Sequence, residues 1–369
     1  ADRLTGGHVN VKYGHLTPLG KIQIQEAGHP VPDAAGLTGT QKILDLLATV
    51  EKDDLAIAVL SGGGSALLPM PSAGITLEEK QVTTKLLLAC GANINEMNTI
   101  RKHLSQVKGG QLAAAAYPAT LITLILSDVI GDPLDVIASG PTVADTSTFQ
   151  EVHSILDKYD IREQLPASVQ RHLTKGLAGE VLETPKPGDA IFAKTQNLIV
   201  ASNRQAIEAA QAEAQQLDYR TLILSTLIEG ETREVARVHA AIAKEIRASG
   251  NPLPPPACVI SGGETTVTLR GNGLGGRNQE FVLAATIDIA DVPDVVILSA
   301  GTDGTDGPTD AAGAVGDGET TRRAMESALQ PQAFLNNNES YRFFEKLGDL
   351  LITGPTNTNV MDLRLMLVG

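Results

Sequence analysis

The sequence predicts an α/β protein made of two α/β domains with largely parallel or mixed sheets. Three observations carry this. Short apolar strands alternate with helical stretches of roughly 10–17 residues, the rhythm of βαβ units. A chain of 369 residues is long enough to bury two cores. Five strands run into a serine at Leu60-Ser61, Leu126-Ser127, Leu224-Ser225, Ile260-Ser261 and Leu298-Ser299, with small or acidic residues following. Open α/β sheets bind ligands beyond the carboxyl ends of their strands, so these exits predict a site. The alternative is that Ser, Gly and Asp only start turns and cap helices there.

In chain order, residues 1–30 alternate in the manner of strands (HVNVKYGH, then KIQIQEAGHPVPD) and end in a proline-bounded turn. A helix follows over 37–50, then strand 55–60, which runs into SGGGSALL at 61–68. Helix 77–91 stops at Gly91, and helix 98–108 stops at Gly109-Gly110. Strand 121–126 leads into SDVIGD. Helices then occupy 150–190 together with the stretch ETPKPGD, whose Pro/Lys composition marks a linker. This places the domains at 1–190 and 191–369. The second domain reads strand 198–201, helix 204–217, strand 221–224, helix 231–248 and a strand from Cys258 to Ile260. A Gly-Gly turn with Glu264, a threonine-rich second strand and a four-glycine loop ending in Arg277 come next. Helix 280–289, strand 295–298, SAGTDGTDG and a helical tail complete the chain.

Composition narrows the function. A net charge of −14 excludes a nucleic-acid binder and discourages an anionic membrane surface. No apolar run reaches the about 18 residues of a membrane span. Cys90 and Cys258 stand far apart without metal-ligand spacing, which predicts buried, reduced thiols in a cytoplasmic protein.

Several motifs point to an anionic guest. Ser61, Gly62, Gly63, Gly64 and Ser65 offer consecutive backbone N–H donors at a helix start, without the lysine or spacing of a Walker A loop. Gly262, Gly263, Glu264 and Thr265 form a second strand exit. GNGLGG at 271–276 satisfies G-x-G-x-x-G, but no acid follows at the position a dinucleotide ribose requires. Gly275 and Gly276 therefore read better as a phosphate loop that delivers Arg277, whose fork suits a phosphoryl group in transfer. Arg101, Lys102, His103, Ser105 and Lys108 are the densest cationic cluster. Arg101, Ser105 and Lys108 share one helical face at i, i+4 and i+7, fit to clamp a small carboxylate or a phosphate, or else a solvated face. Asp128 and Asp132 in SDVIGD and Asp303 and Asp306 in TDGTDG suit Mg²⁺, which takes one or two carboxylates plus phosphate oxygens; turn-forming aspartates are the alternative. Among the histidines, His29 in GHPVPD and His103 sit beside other special residues, and no H-E-x-x-H pair supports zinc hydrolysis.

With EAGHPVPD (26–33), SGGGSALL (61–68), NTIRKHLSQVKGG (98–110), LSDVIGDPLDVIASGPT (126–142), ISGGETTV (260–267), GGRNQE (275–280), AGTDGTDGPTDAAGA (300–314) and TGPTNTNVMDL (353–363) in place, the chain resembles the class II glycerate kinases over nearly its whole length. These are the glycerate 2-kinase family with a C-terminal MOFRL domain. The resemblance implies a Rossmann-like domain over 1–190, a MOFRL-type domain over 191–369 and an active site in the cleft between them. It implies ATP- and Mg²⁺-dependent phosphorylation of D-glycerate, usually at the 2-hydroxyl, with Arg277 matching the catalytic arginine. Asp128 is then the first candidate for holding metal or orienting the hydroxyl, Asp303 the second, and Arg101 and Lys102 candidates for the substrate carboxylate. Family members also carry the name hydroxypyruvate reductase. The family's catalytic lysine belongs to a glycine-lysine-alanine turn upstream of where this sequence starts, so the expectation is either a first domain given without its opening segment or a protein that lacks that lysine and is impaired. ATP and D-glycerate are the expected partners, with a homodimer allowed. The rival expectations are a nicotinamide-dependent hydroxypyruvate reductase and a non-catalytic nucleotide- or glycerate-binding sensor.

Overall fold

The computed structural model describes residues 3–369, which form two compact units. One holds the chain up to residue 125 together with 132–200; the other holds 126–131 and 201–369. ETPKPGD lies within the first unit. There Lys186 donates to the Ser147 carbonyl and to Thr184 Oγ1, and Thr184 donates to Asp145.

In the first unit, β1 (Gly7–Lys12) pairs in parallel with β2 (Ile22–Ala27). Helix α1 (Ala34–Leu47) starts earlier than apolar spacing suggests, because the Asp33 carboxylate caps Gly36 N at 2.9 Å. After β3 (Leu55–Leu60) come a single turn α2 (Gly64–Leu67), α3 (Leu77–Ala89), α4 (Ile94–His103), α5 (Gln111–Ala116) and β4 (Thr120–Leu126). Helices α6 (Phe149–Lys158) and α7 (Ala167–Leu177) precede β5 (Thr195–Ala201). Capping boxes at Thr76/Glu79, Asn93/Glu96 and Thr148/Glu151 fix three of these helix starts. Leu87, Ile100, Leu104, Phe149, Val152, Leu156 and Leu173 make the helical core. The sheet runs β3-β4-β5, with β3 parallel to β4. Helix α4 ends at His103, so Ser105 and Lys108 lie beyond it. The shared helical face expected for Arg101, Ser105 and Lys108 does not form, because residue 105 instead bridges to Pro71.

The second unit is a three-layer sandwich. Its elements are α8 (Asn203–Gln216), β6 (Arg220–Ile228), α9 (Thr232–Ser249), β7 (Ala257–Gly263), α10 (Arg277–Asp288), β8 (Val295–Gly301) and β9 (Gly313–Asp317). Three short helices, α11 (Thr320–Glu326), α12 (Pro331–Asn336) and α13 (Ser340–Leu347), lead to β10 (Leu350–Leu351) and β11 (Asp362–Val368). The sheet order is β10-β9-β8-β11-β7-β6. The last strand is therefore central, antiparallel to both β7 and β8. Ile207, Cys258, Ile260, Leu363 and Leu365 pack on the α8 side; Val259, Phe281, Ile297, Met366 and Val368 pack under α9 and α10.

Pairing with β11 carries β7 and β8 past Ser261 and Ser299 as far as Gly263 and Gly301. Those two serines are thus buried strand residues, not exits: Ser261 Oγ meets His239 Nε2 at 2.8 Å and Ser299 donates to Asn278 at 2.5 Å. The threonine-rich second strand is also absent. Thr266 makes a single bridge to Glu231, and Thr265 Oγ1 receives the Thr232 hydroxyl at 2.8 Å, so these threonines anchor the start of α9. Among the described residues no helix is long and apolar enough to cross a membrane.

Candidate active site

In the second unit, Arg277 opens α10 at the end of the glycine loop. The reason it sits there is Asp306, whose carboxylate accepts from Asn278 N at 3.1 Å and Gln279 N at 2.8 Å and so caps the helix from a loop far along the chain. Burial pushes the Asp306 carboxyl up to about 6, against the pull of those two amides. The helix N-terminus already holds an anion. The glycines before it are there for packing: a Cβ on Gly271, Gly273 or Gly275 would strike residues 337–340, and one on Gly276 would strike Asp306. This loop therefore lies against its own chain, which removes the structural basis for a dinucleotide pyrophosphate at this helix. Gly262 and Gly263 are closed in the same way, by Asn203 and by the Ile228 backbone.

The Arg277 side chain is held by two carboxylates. Nε lies 2.8 Å from Asp362 Oδ2, and Nη1 lies 2.7 Å from Glu264 Oε1. No hydrogen bond or ion pair involves Nη2 among the described residues, and 32% of the side chain is exposed. Burial works against the Arg277 cation, but Asp362, Glu264 and Asp306 outweigh it and raise its pKa above the ordinary value. Asp362 has no exposed surface and also accepts from Asn278 Nδ2 at 2.9 Å and Arg364 Nη2 at 2.8 Å. Arg364 is itself buried, over the Phe281 ring, with Nε and Nη1 unpartnered among the described residues. The motif reading singled out neither Asp362 nor Arg364; their i, i+2 spacing puts both on one face of a strand.

Glu264 is pushed up by burial and by Asp362 and Asp128, with Arg277 pulling the other way. Asp128, half-buried just after β4, is thus within electrostatic reach of Glu264. Asp303 is placed differently: its two oxygens accept from Thr305 N and Thr305 Oγ1, each at 3.0 Å, in its own turn. Among the described residues no three His, Cys, Asp or Glu side chains gather as a metal cage. Asp128 and Glu264 match the sparser demand of Mg²⁺, a carboxylate or two completed by phosphate oxygens.

In the first unit, Gly63 takes φ +79 beneath the His29 ring, where a Cβ would meet the ring at 2.7 Å. Ser65 Oγ pairs with Ser139 Oγ at 3.2 Å, and Ser139 donates to Asn98 Oδ1 at 3.1 Å. Ala138 and Ser139 both have positive φ, at 51° and 62°, a strain that clusters at functional sites. Lys108 Nζ donates to the carbonyls of Ser65 at 3.0 Å and Ala138 at 3.3 Å. The rest of the cationic motif is turned to other work. Lys102 pairs with buried Asp145 at 3.2 Å, His103 joins Glu183 at 2.9 Å and the Thr99 carbonyl, and Ser105 donates to Met70 O. Arg101 is half-buried and makes no hydrogen bond or ion pair with a described residue.

Residues 1–174 match the model described as Domain of unknown function (DUF4147), and residues 257–362 match the MOFRL family. A glycerate 2-kinase from Pyrococcus horikoshii is 45% identical over 358 residues, covering 97% of this chain and 80% of that protein. The chain belongs to the glycerate kinase family. A crystal structure of glycerate kinase from Thermotoga maritima superposes with a TM-score of 0.93 at 43% identity, covering all of this chain and 86% of that one. A relative from Agrobacterium vitis, 44% identical over 98% of this chain and 81% of its own length, carries the name hydroxypyruvate reductase. The MOFRL match runs from the first residue of β7 to Asp362, and so encloses Arg277 with both of its carboxylate partners.

Proposed function

We propose that this family member is an ATP-dependent kinase that phosphorylates D-glycerate at the 2-hydroxyl, giving 2-phosphoglycerate. The observation that carries the reading is Arg277: a guanidinium fixed on two sides by Asp362 and Glu264, with Nη2 and a third of its surface left over. Phosphoryl transfer needs little covalent chemistry and much positioning, and a rigid fork that meets the charge of the moving group supplies both. Asp128 is the group we assign to orienting the attacking hydroxyl. Mg²⁺, held by Asp128 and Glu264 with phosphate oxygens, would neutralise charge on the nucleotide. Arg101 and Lys108 are assigned to the glycerate carboxylate, supported by the absence, among the described residues, of any acidic side chain bonded to either.

The test is ADP release coupled to D-glycerate with Mg²⁺, followed by separation of 2- from 3-phosphoglycerate. Turnover that consumes NADH without ATP would move the assignment to the reductase.

A further inference from the structure

Three cations of the first unit bond to no carboxylate among the described residues. Lys80 on α3 is 8% exposed, and its Nζ is buried without a hydrogen-bond partner among the described residues. Among the described residues Arg101 on α4 has neither hydrogen-bond nor ion-pair partner, and Lys108 is held by two backbone carbonyls alone. The three lie within one another's field: Arg101 acts on Lys80, and both act on Lys108. Nearby acids are committed elsewhere. Glu79, next to Lys80, folds back on Thr76 N at 2.8 Å, and Asp145 is taken by Lys102, Ser147 and Thr184.

A buried cation without a counter-charge is costly, and here two buried lysines lie in the field of a half-buried arginine. A chain with a net charge of −14 has acids to spare, yet among the described residues none bonds to these three side chains. We propose that Lys80, Arg101 and Lys108 form a binding site for one small oxyanion, a carboxylate or a phosphoryl group, and that Lys80 is an anion-binding residue of it. The titration behaviour accords with such a site. Burial, with Arg101 adding to it, brings Lys80 down to about 7, and burial with Lys80 and Arg101 pushes Lys108 well below the ordinary lysine range. An anion among them reverses both shifts. Assigning that anion to glycerate or to its phosphorylated product rests on the kinase reading; the site itself does not.

The experiment is thermal unfolding of the full chain titrated with inorganic phosphate and, separately, with D-glycerate, for wild type, Lys80→Met and Arg101→Met. Methionine keeps the length of the lysine stem and removes the charge. Lys80→Met is expected to melt higher than wild type without anion, a gain that a merely structural lysine would not give. It is also expected to need about 10–100-fold more anion for the same shift, the scale of a lost charged hydrogen bond. Arg101→Met weakens the same response, and both raise KM for D-glycerate more than they lower kcat. Which anion stabilises wild type identifies the carboxylate or the phosphate as the guest. Lys80→Met binding both anions as tightly as wild type overturns the site, as does a wild type that neither anion stabilises. Phosphate binding that depends on Lys80, in a protein that releases no ADP with D-glycerate, would leave the site standing and remove the kinase.

Discussion

Nε of Arg277 lies 2.8 Å from Oδ2 of Asp362, and the same oxygen takes a second arginine, Arg364, at 2.8 Å. Asp362 is the first residue of β11, paired with Gly263 of β7 on one side and Gly301 of β8 on the other. The final strand thus delivers a buried carboxylate between two glycine-ended strands and ties the head of α10 to the middle of the sheet. Arg277 owes its direction to this anchor, since a long side chain at a helix start otherwise has many rotamers.

Replacing Arg277 with alanine is expected to lower kcat by roughly 10³-fold or more, the scale for an arginine at a phosphoryl-transfer transition state. Arg277→Lys will recover little, because one ammonium cannot meet Asp362 and Glu264 and keep a fork free. A loss below about tenfold in the alanine variant removes Arg277 from the chemistry.

Asp362→Ala is expected to strip two cations of their shared partner and leave Arg364 buried without its direct ion pair. Removing one member of a buried pair costs about 3–5 kcal/mol. Urea unfolding should show that loss together with lower kcat, whereas Glu264→Gln, at a more exposed partner, should alter kcat with little change in midpoint. Equal midpoints for wild type and Asp362→Ala would show that the anchor is not structural.

Much of the architecture was legible locally. The α/β alternation appeared where expected, and capping pairs such as Thr76/Glu79 are short-range chemistry that a sequence displays. What escaped was long-range. Nothing near residue 362 announces that β11 inserts between β7 and β8, since antiparallel pairing partners lie about a hundred residues or fewer upstream and leave no local periodicity. Asp306 read as a metal ligand or a turn residue, yet its carboxylate caps the start of α10 by accepting from Asn278 N, 28 residues earlier. Lys80 sat in an ordinary helical pattern; only burial beside Arg101 and Lys108 makes it unusual. The glycine loop was visible, but its purpose, packing on residues 337–340, was not.

The two thiols should separate by rate. Cys258 is buried in β7, and burial pushes its pKa up to about 11, so little thiolate forms at neutral pH. Cys90, at the end of α3, is half-buried and donates to the Leu87 carbonyl at 3.2 Å. A disulfide exchange reagent should titrate Cys90 in the native protein and reach Cys258 only on the timescale of unfolding. Two equal native rates would contradict this burial.

Stability against pH should carry two opposed contributions in one unit. His239 donates from Nδ1 to the Val235 carbonyl and accepts from Ser261, and burial lowers its pKa from 6.5 to about 4. Its neutral form is the stabilised one, so this contribution is complete above pH 6.5 and is lost as pH falls toward 4. Asp306 has the opposite sign: burial raises it from 3.8 to about 6, so its contribution is complete below pH 3.8 and is lost as pH rises through 6. At about 1.4 kcal/mol per pH unit of displacement, each is worth up to roughly 3 kcal/mol, and between pH 4 and 6 they largely cancel. His239→Gln should therefore gain stability on acidification through that window, and Asp306→Asn should lose it more steeply than wild type. Urea midpoints at pH 4.5, 5.5 and 6.5 for the three proteins decide the matter. Parallel curves would mean that neither side chain titrates as its surroundings dictate.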